Sequence, residues 1–335
     1  MIPHTAPRLS LSAKCQYGAL IFFLALAVYK VLLQIHGAHF AELTQAAQAV
    51  FERKPHWLAY QNRLLGPALI KLISCFGLDW GAAYKLFIFL MLQAQSFVLF
   101  ALLQKQTGAA AALRWLGLYL LGFLLLQHYW FYPWDCIDAL IFTLFAYGVL
   151  QAKPIGFFLA LYAVEIINRE AALFIALYIV LDAFTFDLST LRLRLESRTR
   201  LLCGILLLIG GALYTKWIRS YLFISTINGG DDSAHRTLGN HVYFVDNLKN
   251  LLYQNFTSTD VLNSAFVLGS CAFLLARCKH YSQAQFKGML IYLGIMLNIL
   301  IFGLVNESRM YIALLPLLLF FMLSASTTDA RPAKA

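Results

Sequence analysis

The chain has 335 residues, of which 61% are hydrophobic and only 13% charged, with a mean hydropathy of +0.69 and a formal net charge of +10. Soluble domains are roughly half apolar, so this composition excludes a water-soluble globular domain and marks an all-α polytopic membrane protein. The Lys and Arg residues fall in short loops between apolar runs, where they report the cytoplasmic side of a membrane, and no nucleic-acid partner is expected.

In chain order, the first apolar run, Tyr17 to Leu33, follows Arg8 and Lys14 with no small-residue cleavage site, which reads as an uncleaved signal anchor. After a polar stretch, Leu64 to Gly77 is short and opens with Gly66-Pro67, which suits a helix lying in the interface. Spans follow at Ala82 to Leu103, Leu113 to Leu126 and Cys136 to Leu150. The run Ile155 to Phe186 is too long for one crossing and is broken by Asn168-Arg169-Glu170, so it reads as two short helices meeting at a polar tip. Leu201 to Tyr221, Val261 to Leu275, Gly288 to Leu304 and Tyr311 to Leu323 complete about ten spans, each near the ~20 residues a crossing needs. No apolar-poor stretch is left for a soluble domain of ~100 residues, so residues 1–335 form one integral membrane domain.

This arrangement places Arg8, Lys14, Lys105, Arg114, Lys153, Arg192, Arg194, Arg198, Arg200, Arg277, Lys279, Lys287, Arg331 and Lys334 on one side. By the positive-inside rule that side is cytoplasmic and carries both termini. A rival count, with Leu64 to Gly77 spanning and the Ile155 run crossing once, puts Lys105, Arg114 and Lys153 outside and is disfavoured.

Four polar clusters then open on the opposite side. The first, His36 to Arg63, holds His39 and Glu42 three residues apart, on one face of any helix there. Glu42 is a candidate general base or metal ligand, and Arg63 a candidate phosphate anchor, since a guanidinium binds phosphate oxygens bidentately. In the second, Tyr132-Pro133-Trp134-Asp135, Asp135 and Asp138 occupy the entry turn of a span, one suited to capping the helix and the other to a buried carboxylate. In the third, Asn168-Arg169-Glu170, Glu165 and Arg169 are four apart and spaced to pair across a helical turn, while Arg169 is also placed to face an anionic head group. The fourth, Asn306-Glu307-Ser308-Arg309, opens the final span.

Other features carry less chemistry. Cys15, Cys75, Cys136, Cys203, Cys271 and Cys278 are scattered, with no zinc-ligand spacing or disulfide framework. Asn255-Phe256-Thr257 and Asn306-Glu307-Ser308 match the glycosylation triplet, which has meaning only in a secretory compartment. Asp231, Asp232 and His235 follow the turn signal Asn228-Gly229-Gly230; they could bind a divalent cation but lack a recognised ligand spacing, and a solvated turn is the favoured reading. Arg192, Arg194, Arg198 and Arg200 alternate with apolar residues, pointing to anionic lipid head groups.

Taken together, Glu42 in a long first loop, Arg63-Leu64-Leu65-Gly66-Pro67-Ala68-Leu69, Tyr132-Pro133-Trp134-Asp135 and the basic tip Asn168-Arg169-Glu170 resemble the GT-C superfamily of integral membrane glycosyltransferases. The resemblance covers Tyr17 to Phe186; residues 187–335 would supply further helices and no soluble domain. It implies a GT-C-like fold and transfer of a sugar from a polyprenyl-phosphate donor to a lipid-linked or glycan acceptor on the extracytoplasmic face, in a bacterial inner membrane. Glu42 and Asp135 would be catalytic, and His39, Arg63, Tyr132, Asp138, Arg169, Glu170 and Arg309 would bind substrate. Trp57, Tyr60 and Trp134 are placed to stack on a sugar. Three rivals remain open. A transporter or flippase would line a path with the same charges, a lipid-linked glycan polymerase or ligase shares the donor chemistry, and a structural subunit leaves the charged clusters unexplained.

Overall fold

The computed structural model describes residues 10–52, 63–127, 131–187, 192–221, 242–253 and 260–329, the side chains of 219–221 and 326–329 excepted. These residues form thirteen α-helices and one β-hairpin. The helices are α1 (Leu11–Ile35), α2 (Phe40–Ala49), α3 (Leu65–Ser74), α4 (Trp80–Thr107), α5 (Ala109–Leu125), α6 (Pro133–Leu150), α7 (Ile155–Asn168), α8 (Ala172–Asp182), α9 (Arg198–Tyr221), α10 (Phe244–Leu252), α11 (Val261–Ala276), α12 (Gln283–Phe302) and α13 (Leu314–Asp329). Strands β1 (Phe184–Asp187) and β2 (Arg192–Leu195) pair antiparallel between α8 and α9.

Local chemistry sets the ends. Asp79 caps α4 by accepting from the Ala82 N–H at 2.9 Å, and the helix stops at Gly108, whose φ of +80° favours glycine. Ser282 and Gln285 form a reciprocal capping box at the start of α12. Pro133 opens α6, where its missing N–H costs nothing.

Among the described residues, α1, α4, α6, α9 and α12 are long and apolar enough to cross a membrane, as an integral membrane protein requires. The remaining apolar helices run 10–17 residues, so a count of ten crossings would have to include helices shorter than a full span. Helix α3, at 10 residues and about 15 Å, is too short to cross ~30 Å of hydrocarbon. Helix α6 is 78% buried and forms the centre of the bundle, whereas α9 is only 17% buried and presents Leu202, Leu206, Ile209 and Leu213 outward.

Helices α7 and α8 fold back on each other. The Phe158 and Tyr178 rings lie 4.7 Å apart, and both pack on Phe145 of α6, which a continuous helix would forbid. Helix α9 lies along the pair: the Tyr162 hydroxyl donates to the Leu207 carbonyl at 2.6 Å, and Gly204 lets α9 approach Val180. The expected pair therefore exists, but it ends at Asp182, and the residues up to Phe186 leave the helix to form β1.

The bundle has two chemically distinct ends. Tyr17 of α1 packs on Phe100 late in α4, Tyr281 packs on Phe321 late in α13, and Lys287 reaches Asp182 at the end of α8. The start of α1, the late part of α13 and the basic loops thus share one end. The tip between α7 and α8 and the start of α6 lie at the other.

Candidate functional site

The end opposite the basic loops gathers residues from four separate stretches. Arg169 follows α7 in extended conformation (φ −162°, ψ 153°), and Ala172 begins α8 three residues later. The Arg169 side chain turns to α6, where Nη1 bonds Asp138 Oδ2 at 2.7 Å and lies 4.0 Å from Asp135 Oδ1. Arg309, ahead of α13, approaches the same Asp135 oxygen at 3.8 Å and bonds Glu307 at 2.8 Å. Arg63, ahead of α3, bonds Glu170 at 3.1 Å. Aromatic faces back two of these cations: Arg63 sits 4.6 Å over Trp134 and Arg309 4.4 Å over Tyr132, and those two rings stack at 4.5 Å.

The two aspartates divide their tasks as their positions allow. Asp135 Oδ2 accepts the Tyr132 N–H at 3.0 Å and so caps α6, while Oδ1 accepts no hydrogen bond from any described residue. Asp138 is held from both sides, by Arg169 and by Asn168 Nδ2 at 2.6 Å. Asp135 is 1% exposed and Glu165 0%, so these carboxylates are placed by the fold rather than by solvent. Burial lowers the Arg63 pKa from its ordinary value, opposed by the Glu170 carboxylate. Burial also pushes the Tyr132 phenol up to about 12, against the pull of Arg309, so it stays neutral at physiological pH.

The structure thus joins Arg63, Tyr132, Asp135, Asp138, Arg169, Glu170 and Arg309. His39 and Glu42 sit half-buried at the start of α2, an element that packs on α3 and α4, and the contacts described above do not run through either. The expected Glu165 and Arg169 side-chain pair is corrected: the Arg169 N–H still bonds the Glu165 carbonyl at 2.6 Å, but the residue is extended and its guanidinium turns to Asp138, while Asn168 bonds the Glu165 carboxylate at 3.2 Å. Trp57, Tyr60, Asp231, Asp232 and His235 lie outside the described residues, and among those described no three His, Cys, Asp or Glu side chains converge as metal ligands.

A cavity of about 360 Å³ opens beside the cluster. Arg63, Arg169 and Glu170 form its polar end, and Phe142, Leu173, Phe174, Ile299 and Phe302 its apolar wall. Asn298 of α12 also lines it. Sequence reading missed Asn298 because a single amide in an apolar run carries no spacing signal. Trp134 was legible as a stacking ring, but not as the support of Arg63.

Fold and site together define a helical membrane protein with a buried, charged centre beside an amphipathic cavity. No protein-family model, curated protein or solved structure matches the chain.

Proposed function

We propose that this chain is a GT-C-like membrane glycosyltransferase that moves a sugar from a polyprenyl-phosphate donor to an acceptor on the extracytoplasmic face. The observation that carries the reading is the cavity, where two guanidiniums, Arg63 and Arg169, stand with Glu170 at the polar end facing an apolar wall, an arrangement suited to a phosphate attached to a long hydrocarbon chain. In this scheme the acceptor hydroxyl oxygen attacks the anomeric carbon, the bond from that carbon to the phosphate oxygen breaks, and polyprenyl phosphate departs. Arg63 and Arg169, with Arg309 behind, offset the charge on the departing phosphate. The acceptor proton passes to Asp135 Oδ1, which accepts no hydrogen bond among the described residues; Asp135 does not itself line the cavity, so this step requires Arg169 to turn from it toward the phosphate. Asp138 holds Arg169 in place. Glu42, in the first turn of α2, is the second candidate for the base role.

A bacterial inner membrane with both termini cytoplasmic is part of the same proposal, supported by the basic residues collected at one end of the bundle. A transporter of a lipid-linked anion is the second reading, favoured by the helix break at Arg169 beside the cavity.

The test is conservative replacement at unchanged protein level. Asp135→Asn and Arg169→Lys each reduce glycan transfer by at least about 10²-fold, the former as loss of a positioned base and the latter as loss of a donor aimed at developing charge. Full transfer by both variants refutes the site.

A further inference from the structure

The β1–β2 hairpin has no part in that site and lies at the other end of the bundle. Its register pairs Phe184 with Leu195, Thr185 with Arg194, Phe186 with Leu193 and Asp187 with Arg192. Directly paired residues project to the same face. One face is therefore Phe184, Phe186, Leu193 and Leu195, and the other is Thr185, Asp187, Arg192 and Arg194.

The hairpin is held in a fixed place. Gln283, at the start of α12, accepts from the Phe186 N–H at 2.9 Å and donates back to the Phe186 carbonyl, and the Phe186 ring packs on Phe286 at 5.3 Å. Just before it, Asp182 takes Arg200 at 2.6 Å and Lys287 at 2.9 Å, tying together α8, α9 and α12. Leu193 and Leu195 nevertheless remain 57% and 41% exposed, and the Arg194 side chain is 83% exposed. Past β2, α9 also exposes an apolar row, Leu202, Leu206, Ile209 and Leu213.

We infer that this hairpin lies in the head-group layer and binds anionic phospholipid. Leu193 and Leu195 enter the acyl boundary, and Arg192, Arg194 and Arg198 reach lipid phosphates. Two observations select this occupant. Leu193 and Leu195 are exposed apolar side chains beside basic ones, and with Arg200 taken by Asp182, Arg192, Arg194 and Arg198 still outnumber Asp187 and Glu196. Glu196 stands 3.6 Å from Arg194, but both are exposed, and such a pair is weak enough to leave the guanidinium free for phosphate.

The inference does not depend on the proposed function, since it involves neither the cavity nor transfer. Full-length protein in neutral detergent is titrated with phosphatidylglycerol or phosphatidylcholine, and bound lipid is counted by native mass spectrometry. Wild type favours phosphatidylglycerol, and R192Q/R194Q loses roughly 30-fold of that preference, about fivefold per arginine. L193S/L195S weakens retention of both lipids. An unchanged preference in R192Q/R194Q overturns the inference. If that variant fails to fold, R194Q alone decides it, because so exposed a side chain tolerates replacement: a loss of about fivefold supports the inference and no loss overturns it.

Discussion

The Arg169 and Asp138 pair gives the account its most direct energetic test. Its 2.7 Å contact joins side chains that are 15% and 3% exposed, so Asp138 cannot turn to bulk water when its partner is removed, and Arg169 has only its cavity face. Breaking such a pair from one side costs about 3–5 kcal/mol, because the remaining charge stays buried. Arg169→Leu leaves Asp138 with the Asn168 amide and strips one of two guanidiniums from Asp135, which places it toward the upper end of that range. Asp138→Leu leaves Arg169 with Asp135 at 4.0 Å, and so falls toward the lower end. The double variant removes both charges, so its cost should fall below the sum of the two by about 2 kcal/mol or more. Equilibrium unfolding of the four proteins in mixed micelles, followed by circular dichroism, measures the cycle. A cost below about 1 kcal/mol for Arg169→Leu, or additivity within about 0.5 kcal/mol, refutes the reasoning.

Three further outcomes follow from the packing and topology. A Cβ added at Gly66 would stand 2.5 Å from the Pro133 Cβ, so Gly66→Ala should force α3 away from α6 and cost about 1–3 kcal/mol in the same unfolding assay. Gln95 Nε2 donates to the Tyr119 hydroxyl at 3.0 Å and to Thr143 at 2.7 Å inside the bundle; Gln95→Leu should cost about 1–3 kcal/mol, and a neutral result would mean the network is dispensable. For topology, Glu52→Cys and Lys153→Cys in a protein otherwise free of cysteine should react with an impermeant maleimide from opposite sides of the membrane. Labelling of both from one side contradicts the assignment of the two bundle ends.

Much of this arrangement was legible in the sequence, for definite reasons. Composition and the recurrence of long apolar runs pointed to the helical membrane class, and the basic loops separated the two ends. Asn168-Arg169-Glu170 stood out because ionisable groups inside an apolar run are costly unless they have partners, and the structure supplies those partners from α6 and from Arg63. The partner of Arg169 was misjudged because i to i+4 spacing assumes a helix that continues, whereas the chain becomes extended at that residue. The β1–β2 hairpin was hidden because Phe184 to Asp187 continues an apolar run in composition, and pairing with Arg192 to Leu195 is a tertiary fact. Asn298 escaped notice because only the fold turns α12 toward Arg169.

The most direct test of the central claim uses purified protein in liposomes whose polyprenyl-phosphoryl hexose donor and candidate acceptors are on the lumenal side. The account predicts release of polyprenyl phosphate in step with loss of donor, abolished by Asp135→Asn and reduced at least about tenfold by Arg63→Ala. Movement of intact donor across the bilayer with no polyprenyl phosphate formed would contradict it and favour the transporter.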